Sequence, residues 1–411
     1  MNCQEITIYT SEILYNISYT VLSAFYPGIA EEHNISIWVL GIIFAISPFV
    51  SIPASFVVGK YMKKLGRKCV FIFGMILNTI SMLIIVIAIY TNTVSFLLLS
   101  ILSRIISGIG EGCTMNAAPC ILMTESPGEM DKIITYFEVC SGLGLLLGPI
   151  IGSFISLYSL SLVFVFAAGI YLVFTIVSIF FLQVHDHMLD SKSVSLMKIA
   201  FQPRLLLHFF VQFWFMFALG YMSSTIELNL IQYELSSFSI GLIYSICTFM
   251  YFAISFIQSR FSFNFKPQIL IFFGLCLTGI SFYFLGPWEV IFPKQYWIIC
   301  IGLFLLGISS SLTYSNSHIV PATTHLINIA VNYYAYEYDD ILLDGISAIM
   351  SISTCLGLVI GSLASGFLTH FLGFSTGYVL VGYLSFASAG IYLILSPSSV
   401  YTNSKQKYNS V

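Results

Sequence analysis

Three carboxylates and one guanidinium sit inside apolar stretches in the first half of this 411-residue chain. In the first stretch Glu12, Asn16, Tyr19 and Ser23 recur at i, i+4, i+7 and i+11, the spacing of one helical face. In a later one Arg104, Ser107, Glu111 and Thr114 recur at i, i+3, i+7 and i+10. In a third, Glu138 and Ser141 share a face near the depth of Glu111. Ionisable side chains cost roughly 2.5–3.5 kcal/mol at the centre of a membrane helix, so they persist there with a role. If one carboxylate pairs with Arg104, an acidic remainder is left. A carboxylate in that setting can neutralise a cationic substrate, or take a proton from one side and release it to the other. Glu138 is the preferred coupling group and Glu111 the next. The plainer alternatives are an Arg104–Glu111 or Arg104–Glu138 pair that only ties helices together, and a Glu12 that snorkels to the interface.

The second half offers different chemistry. The stretch "HFFVQFWFMFALGYMSSTIELNL" carries Gln212, Phe213, Trp214, Phe217 and Tyr221, and its aromatic faces suit an organic cation. Packing in the core or against lipid is the competing use. Glu227, late in the same stretch, is expected at the membrane interface without a functional part. Asp344, Ser347, Ser351 and Thr354 form another polar stripe, with Ser351 placed towards a shared cavity and Asp344 read as an acid at a helix start.

These residues must be positioned by membrane helices. The chain is 58% hydrophobic and 8% charged, against about 25% charged in soluble domains, so lipid must solvate most of it. A spanning helix needs about 20 apolar residues. Such runs fall at 6–26, 37–58, 69–90, 95–117, 132–156 and 160–182, then at 205–230, 237–258, 268–286, 296–317, 344–366 and 374–396. The expected architecture is an all-α polytopic membrane protein with twelve transmembrane helices in two six-helix bundles. Residues 1–183 and 205–400 form the bundles, 184–204 a cytoplasmic linker and 401–411 a tail. The chain's start lacks the pattern of a cleaved signal peptide, so the first run is expected in the mature protein.

Charge sets the orientation. With both termini cytoplasmic, thirteen of the fifteen lysines and arginines fall on that side, Arg104 lies within a span, and only Lys294 faces away. Five of them crowd into "GKYMKKLGRK", between the second and third runs. The nine cysteines are scattered without a CxxC pair, which points to buried small hydrophobes and neither disulfides nor a metal site. His185 and His187 lie in the linker with no further ligands nearby. Asn34 begins a glycosylation sequon in a short loop.

The halves carry a trace of repetition. "LGLLLGPIIGSF" from Leu143 aligns with "LGLVIGSLASGF" from Leu356 at a shift of 213, and Asp131 matches Asp344 at the same shift. Gly108, Gly110 and Gly112, like Gly144, Gly148 and Gly152, are small residues at helical spacing that admit close helix approach. Pro149 removes a backbone hydrogen bond and bends its helix. Packing alone is the simpler reading of each glycine.

Three of these segments resemble signatures of the major facilitator superfamily. "GKYMKKLGRK", with Gly59, Gly66 and Arg67, is similar to its loop motif. "RIISGIGEG", with Gly108, resembles the RxxxGxG motif of its fourth span, and "GLGLLLGPIIGS" the span-five motif of its antiporter branches. "EVCSGLGLLLGP" and "YDDILLDGISAIMS" look most like the vesicular amine and polyamine branch and its drug:proton antiporter relatives. The resemblance implies alternating access between two halves, with the substrate site between them. Two positions depart from the pattern: Lys63 stands where the loop motif has an acid that helps latch the halves, and Ser362 where a copy of span five would have proline.

The expected function is proton-coupled antiport of a small organic cation, in a plasma or vesicle membrane, by a monomer. Its partners are that small molecule, protons and the lipid bilayer, with no cofactor, metal or nucleic acid. The alternatives are a uniporter or symporter of a sugar or organic anion in the same fold, or a non-transporting receptor or scaffold. No HExxH, GxSxG or phosphate-cradling loop suggests an enzyme.

Overall fold

In a computed structural model, residues 3–125, 130–182, 203–260, 267–287, 293–318 and 340–395 are described. The linker, with His185 and His187, and the tail from 396 lie outside them. So do the side chains of Lys63, Asp131, Glu138 and Asp344, although each backbone is helical. The helices are α1 (Cys3–Glu32), α2 (Ile37–Leu65), α3 (Arg67–Ile89), α4 (Thr93–Glu125), α5 (Met130–Ser156) and α6 (Leu160–Phe181). There follow α7 (Pro203–Ile231), α8 (Ser237–Arg260), α9 (Pro267–Leu285), α10 (Tyr296–His318) and α11 (Asp340–Leu395).

The last is two spans in one helical run. Gly373, at φ 80° and ψ 168°, interrupts it. A Cβ on Gly377 would lie 3.6 Å from the Leu368 side chain, a contact that requires the chain to reverse between them. Counted this way the described residues form twelve limbs. Ten helices, α11 counted once, have windows apolar enough to span a membrane. The exception is α1, which is 30 residues long but carries acids and the polar stripe described above. Large apolar side chains such as Phe49, Val173, Phe180 and Ile394 are exposed, the outer surface that lipid would cover.

The connection between α2 and α3 is the single residue Gly66. Its φ of 83° is disfavoured for any side chain, which accounts for the glycine in the loop motif. Arg67 opens α3 directly after it.

The repeat is visible in packing. A Cβ on Gly144 of α5 would strike the Ile13 carbonyl of α1, and one on Gly148 the Ile17 carbonyl. In the second half, Gly357 and Gly361 of α11 meet the Phe213 and Phe217 carbonyls of α7. Ile13 to Phe213 and Ile17 to Phe217 are one shift of 200, as the facing glycines are one shift of 213, so α5 lies on α1 in the register in which α11 lies on α7. Two pseudo-symmetric sets of helices follow. Gly152 meets the Phe25 ring, while Gly108 and Gly112 let α4 close on α2.

The two sets meet where α2 packs on α11, α5 on α8, and α1 on α7. Several of these contacts lie far from the N-terminus of α1, on what we call the far side. A Cβ on Gly41 of α2 would be 2.5 Å from the Ser362 carbonyl of α11, and Gly366 lies against the Ile37 carbonyl. Gly241 of α8 lies against Phe25 of α1 and Ser153 of α5.

Candidate functional site

A cavity of about 50 Å³ lies between the two sets, lined by residues of α1, α2, α3, α4 and α6 and closed by Ser223 of α7 with Leu358 and Ser362 of α11. Its volume is room for only a few water molecules. Organic ligands need several hundred cubic ångströms, more than this cavity offers as it stands.

Arg104, Ser107, Glu111 and Tyr19 all face this cavity. The Glu111 carboxylate accepts hydrogen bonds from Ser47 Oγ on α2 at 3.3 Å and from the Tyr15 hydroxyl on α1. Ser107 Oγ lies 3.4 Å from the same Ser47 hydroxyl, within hydrogen-bond reach. The hydrogen bonds of Glu111 thus come from neutral hydroxyls. Arg104 is 93% buried, and its Nη2 has no hydrogen-bond partner among the described residues.

Glu12 lies beside the cavity, also buried. Asn16 sits one turn along the stripe, and its Nδ2 donates to Glu12 Oε1 at 2.7 Å and to the Glu12 carbonyl at 2.9 Å. The Ser141 hydroxyl of α5 donates to the same carboxylate. Glu12 therefore points inward and does not reach for the membrane surface. Glu138 occupies α5 one turn before Ser141, with its side chain outside the described residues.

The second-half aromatics point elsewhere. Trp214 donates through Nε1 to Ser385 Oγ at 3.2 Å and stacks on Phe217 at 4.9 Å. Tyr221 packs edge-on against Tyr378 and Phe282. Both belong to a buried apolar cluster that runs through both halves, and the cavity lining does not include them. Gln212 donates to Thr354 Oγ1 at 2.9 Å, joining α7 to α11. Ser351 is half-buried on α11. Ser362, at the place corresponding to Pro149, donates to the Gly220 carbonyl at 3.3 Å, so a side-chain bond between helices replaces the proline.

Four residues had little or no part in the reading of the sequence. Tyr15, Ser47 and Asn78 line the cavity. Asn78 was legible as a lone amide in an apolar span, and Ser47 as the first of Ser47, Ser51 and Ser55 at helical spacing. The fourth is Glu227, which is 2% exposed and crosses between halves: its Oε2 accepts the Gly28 backbone N–H at 3.0 Å. The hydroxyls of Tyr19 and Ser223, and of Ser23 and Tyr244, are hydrogen-bonded across the same boundary, as are Ser51 and Cys355.

Comparison with known proteins agrees with the fold. The mouse and human proteins called MFS-type transporter SLC18B1 are 26% and 24% identical to this chain. The mouse match covers 95% of this chain and 85% of the relative, and the human match 92% and 84%. Multidrug resistance protein 2 of Bacillus subtilis is 25% identical over 43% of the chain. Among solved structures, a D-xylose-proton symporter superposes with a TM-score of 0.76 at 12% identity, covering 96% of this chain and 98% of its own. The human organic anion transporter MFSD10 gives 0.68 at 16% identity, covering 95% and 99%. The family model described as Major Facilitator Superfamily matches residues 8–328, and the chain belongs to that superfamily of transporters.

Proposed function

We propose that this transporter exchanges protons for a small organic cation by alternating access, with both termini cytoplasmic, in a plasma or intracellular vesicle membrane. The observation that carries the reading is the pair of buried carboxylates, Glu12 and Glu111. Their hydrogen bonds come from Asn16, Ser141, Ser47 and Tyr15, none of them a cation. A buried carboxylate supplied only with neutral donors is held in place yet lacks a countercharge in contact with it; the Arg104 guanidinium acts on Glu111 only through space. A proton or a substrate ammonium supplies one, and the two compete for it. That competition is exchange.

Glu138, one turn from Ser141, remains a third candidate for the coupling proton on its sequence position. Rocking of the halves about the cavity would carry the substrate, because the cavity has room for only a few waters. The mouse and human SLC18B1 relatives support transport in general. The amine preference rests on the carboxylates and on the motif resemblance.

The test is uptake of a labelled alkyl diamine and a labelled arylethylamine into proteoliposomes with an imposed pH gradient. Exchange predicts accumulation that follows the gradient and collapses with a protonophore. Uptake indifferent to both removes the antiport. Glu12→Gln and Glu111→Gln should each abolish the response to the gradient.

A further inference from the structure

The cavity has a second chemical end. Arg104 Nη2 and Asn78 Nδ2 are buried donors without hydrogen-bond partners among the described residues, and both side chains line the same cavity. Arg104 is 93% and Asn78 95% buried, so neither reaches open solvent. Buried donors of this kind are normally satisfied, and a charged one left alone is costly. They come from different helices, α4 and α3. The Asn78 carbonyl is not turned into the cavity with its amide nitrogen, because Oδ1 lies against α4, 2.6 Å from where a Cβ on Gly110 would stand. The cavity is thereby offered N–H groups at this end.

The opposite end holds Glu111, an acceptor. Arg104 and Glu111 are seven residues apart on one helix, two turns or about 10 Å along its axis. Their side chains face a common space while the arginine keeps an unused N–H. Resting on the cation reading above, we infer that the site is bipolar. It takes a substrate with an ammonium group at one end and an oxygen acceptor, a carboxylate above all, at the other. Glu111 holds the ammonium. Arg104 and Asn78 hold the acceptor, with the guanidinium supplying the charge and the amide a second directed donor. The substrate class is thus an extended zwitterion, its charges separated by several bonds, rather than a simple amine.

The experiment is direct binding to the purified full-length protein, by calorimetry, of three probes with one carbon skeleton: hexylamine, hexanoate and 6-aminohexanoate. Four- and eight-carbon homologues vary the separation of the ends. A bipolar site binds the best-fitting zwitterion about tenfold or more tighter than the matched amine, the scale of one charge-assisted contact. Arg104→Gln should bring the ratio of the two affinities to about one, and Asn78→Ala should lower it part of the way. Because the readout is a ratio within each variant, a general loss of active protein does not mimic it. If the amine binds as tightly as the zwitterion at every length, the bipolar inference is overturned and the cation reading stands. If hexanoate matches the zwitterion and hexylamine does not bind, the carboxylates are not a cation site and both readings fall. The same holds if no member of the series binds.

Discussion

The Glu227–Gly28 contact gives the sharpest test of how the two halves are held. Glu227 is buried on α7, and its carboxylate accepts a backbone N–H from α1 in the opposite half. Gly28 follows Pro27, whose missing N–H and ring bulk disturb the helix at this turn. A Cβ on Gly28 would stand 2.7 Å from Glu227 Oε1 and 3.4 Å from Ile231 Cδ1. Gly28→Ala therefore displaces the carboxylate and breaks the bond. A hydrogen bond of this kind contributes about 1–3 kcal/mol, and it exists only while the far side is closed. Its loss should shift the equilibrium between far-closed and far-open conformations by roughly 5- to 150-fold. Spin labels at Tyr158 and Glu234, in far-side connections of the two halves, report the change as a longer distance population in pulsed dipolar spectroscopy. Glu227→Leu should act in the same direction. Glu227→Asp, with a shorter side chain, should relieve part of the alanine's effect in the double variant. Gly169→Ala, where a Cβ meets nothing within 4 Å, is the control and should leave the distribution unchanged. If Gly28→Ala and Glu227→Leu both match the parent, the contact does not hold the far side shut and the reasoning fails.

Gly144→Ala and Gly357→Ala push a methyl into the Ile13 and Phe213 carbonyls, and each should lower the thermal midpoint by the equivalent of about 1–3 kcal/mol. Equal losses in the two are expected from their matched register; a large loss in one alone would contradict it. Gly66→Ala forces a side chain to φ 83° and should cost about 1–3 kcal/mol in the same melting assay, whereas a neutral result would mean the turn relaxes. Cys69 is exposed at the beginning of α3. With the other cysteines replaced, it should resist an impermeant maleimide on intact cells and react after permeabilisation; labelling of intact cells would reverse the proposed orientation.

Much of this architecture was legible because lipid imposes a simple rule on sequence. Every backbone group must be satisfied within its own helix, so spans declare themselves as apolar runs. Their ends were less legible. The sixth and seventh residues past the expected end of the eleventh span, Leu372 and Gly373, show why: helical conformation continues through "THFL" and only Gly373 departs from it. No strongly polar stretch marks that reversal, and the run carries its apolar character through it. The Glu12–Asn16 pair was legible because an i, i+4 spacing places both on one face, and the hydrogen bond between them follows. The aromatics of α7 were ambiguous for the same reason. A face of Trp214, Phe217 and Tyr221 is equally a binding surface or a core, and only the position of α11 decides between them. Ser385 and Tyr378, more than 150 residues away, turn Trp214 and Tyr221 inward.

Glu227, expected at the interface without a functional part, is buried against the other half for a more instructive reason. Its position near the end of an apolar run suggests contact with water, where a carboxylate is cheap. Yet α7 continues to Ile231, and α1 supplies a glycine at the matching height. Whether a terminal carboxylate meets water or another helix depends on the partner half, which no local pattern encodes. The same dependence separates the two kinds of acid in this protein. Glu12 and Glu111 bond to side chains within the first half, so their setting can persist as the halves separate. Glu227 bonds across the boundary, so its setting must dissolve when the far side opens. Substitution of the first pair should therefore alter coupling with little effect on the conformational distribution, and substitution of Glu227 should do the reverse. Spectroscopy and gradient-driven uptake on the same three variants separate the cases. Equal effects of all three on both measurements would show that the acids act as one network and not as a site with a separate latch.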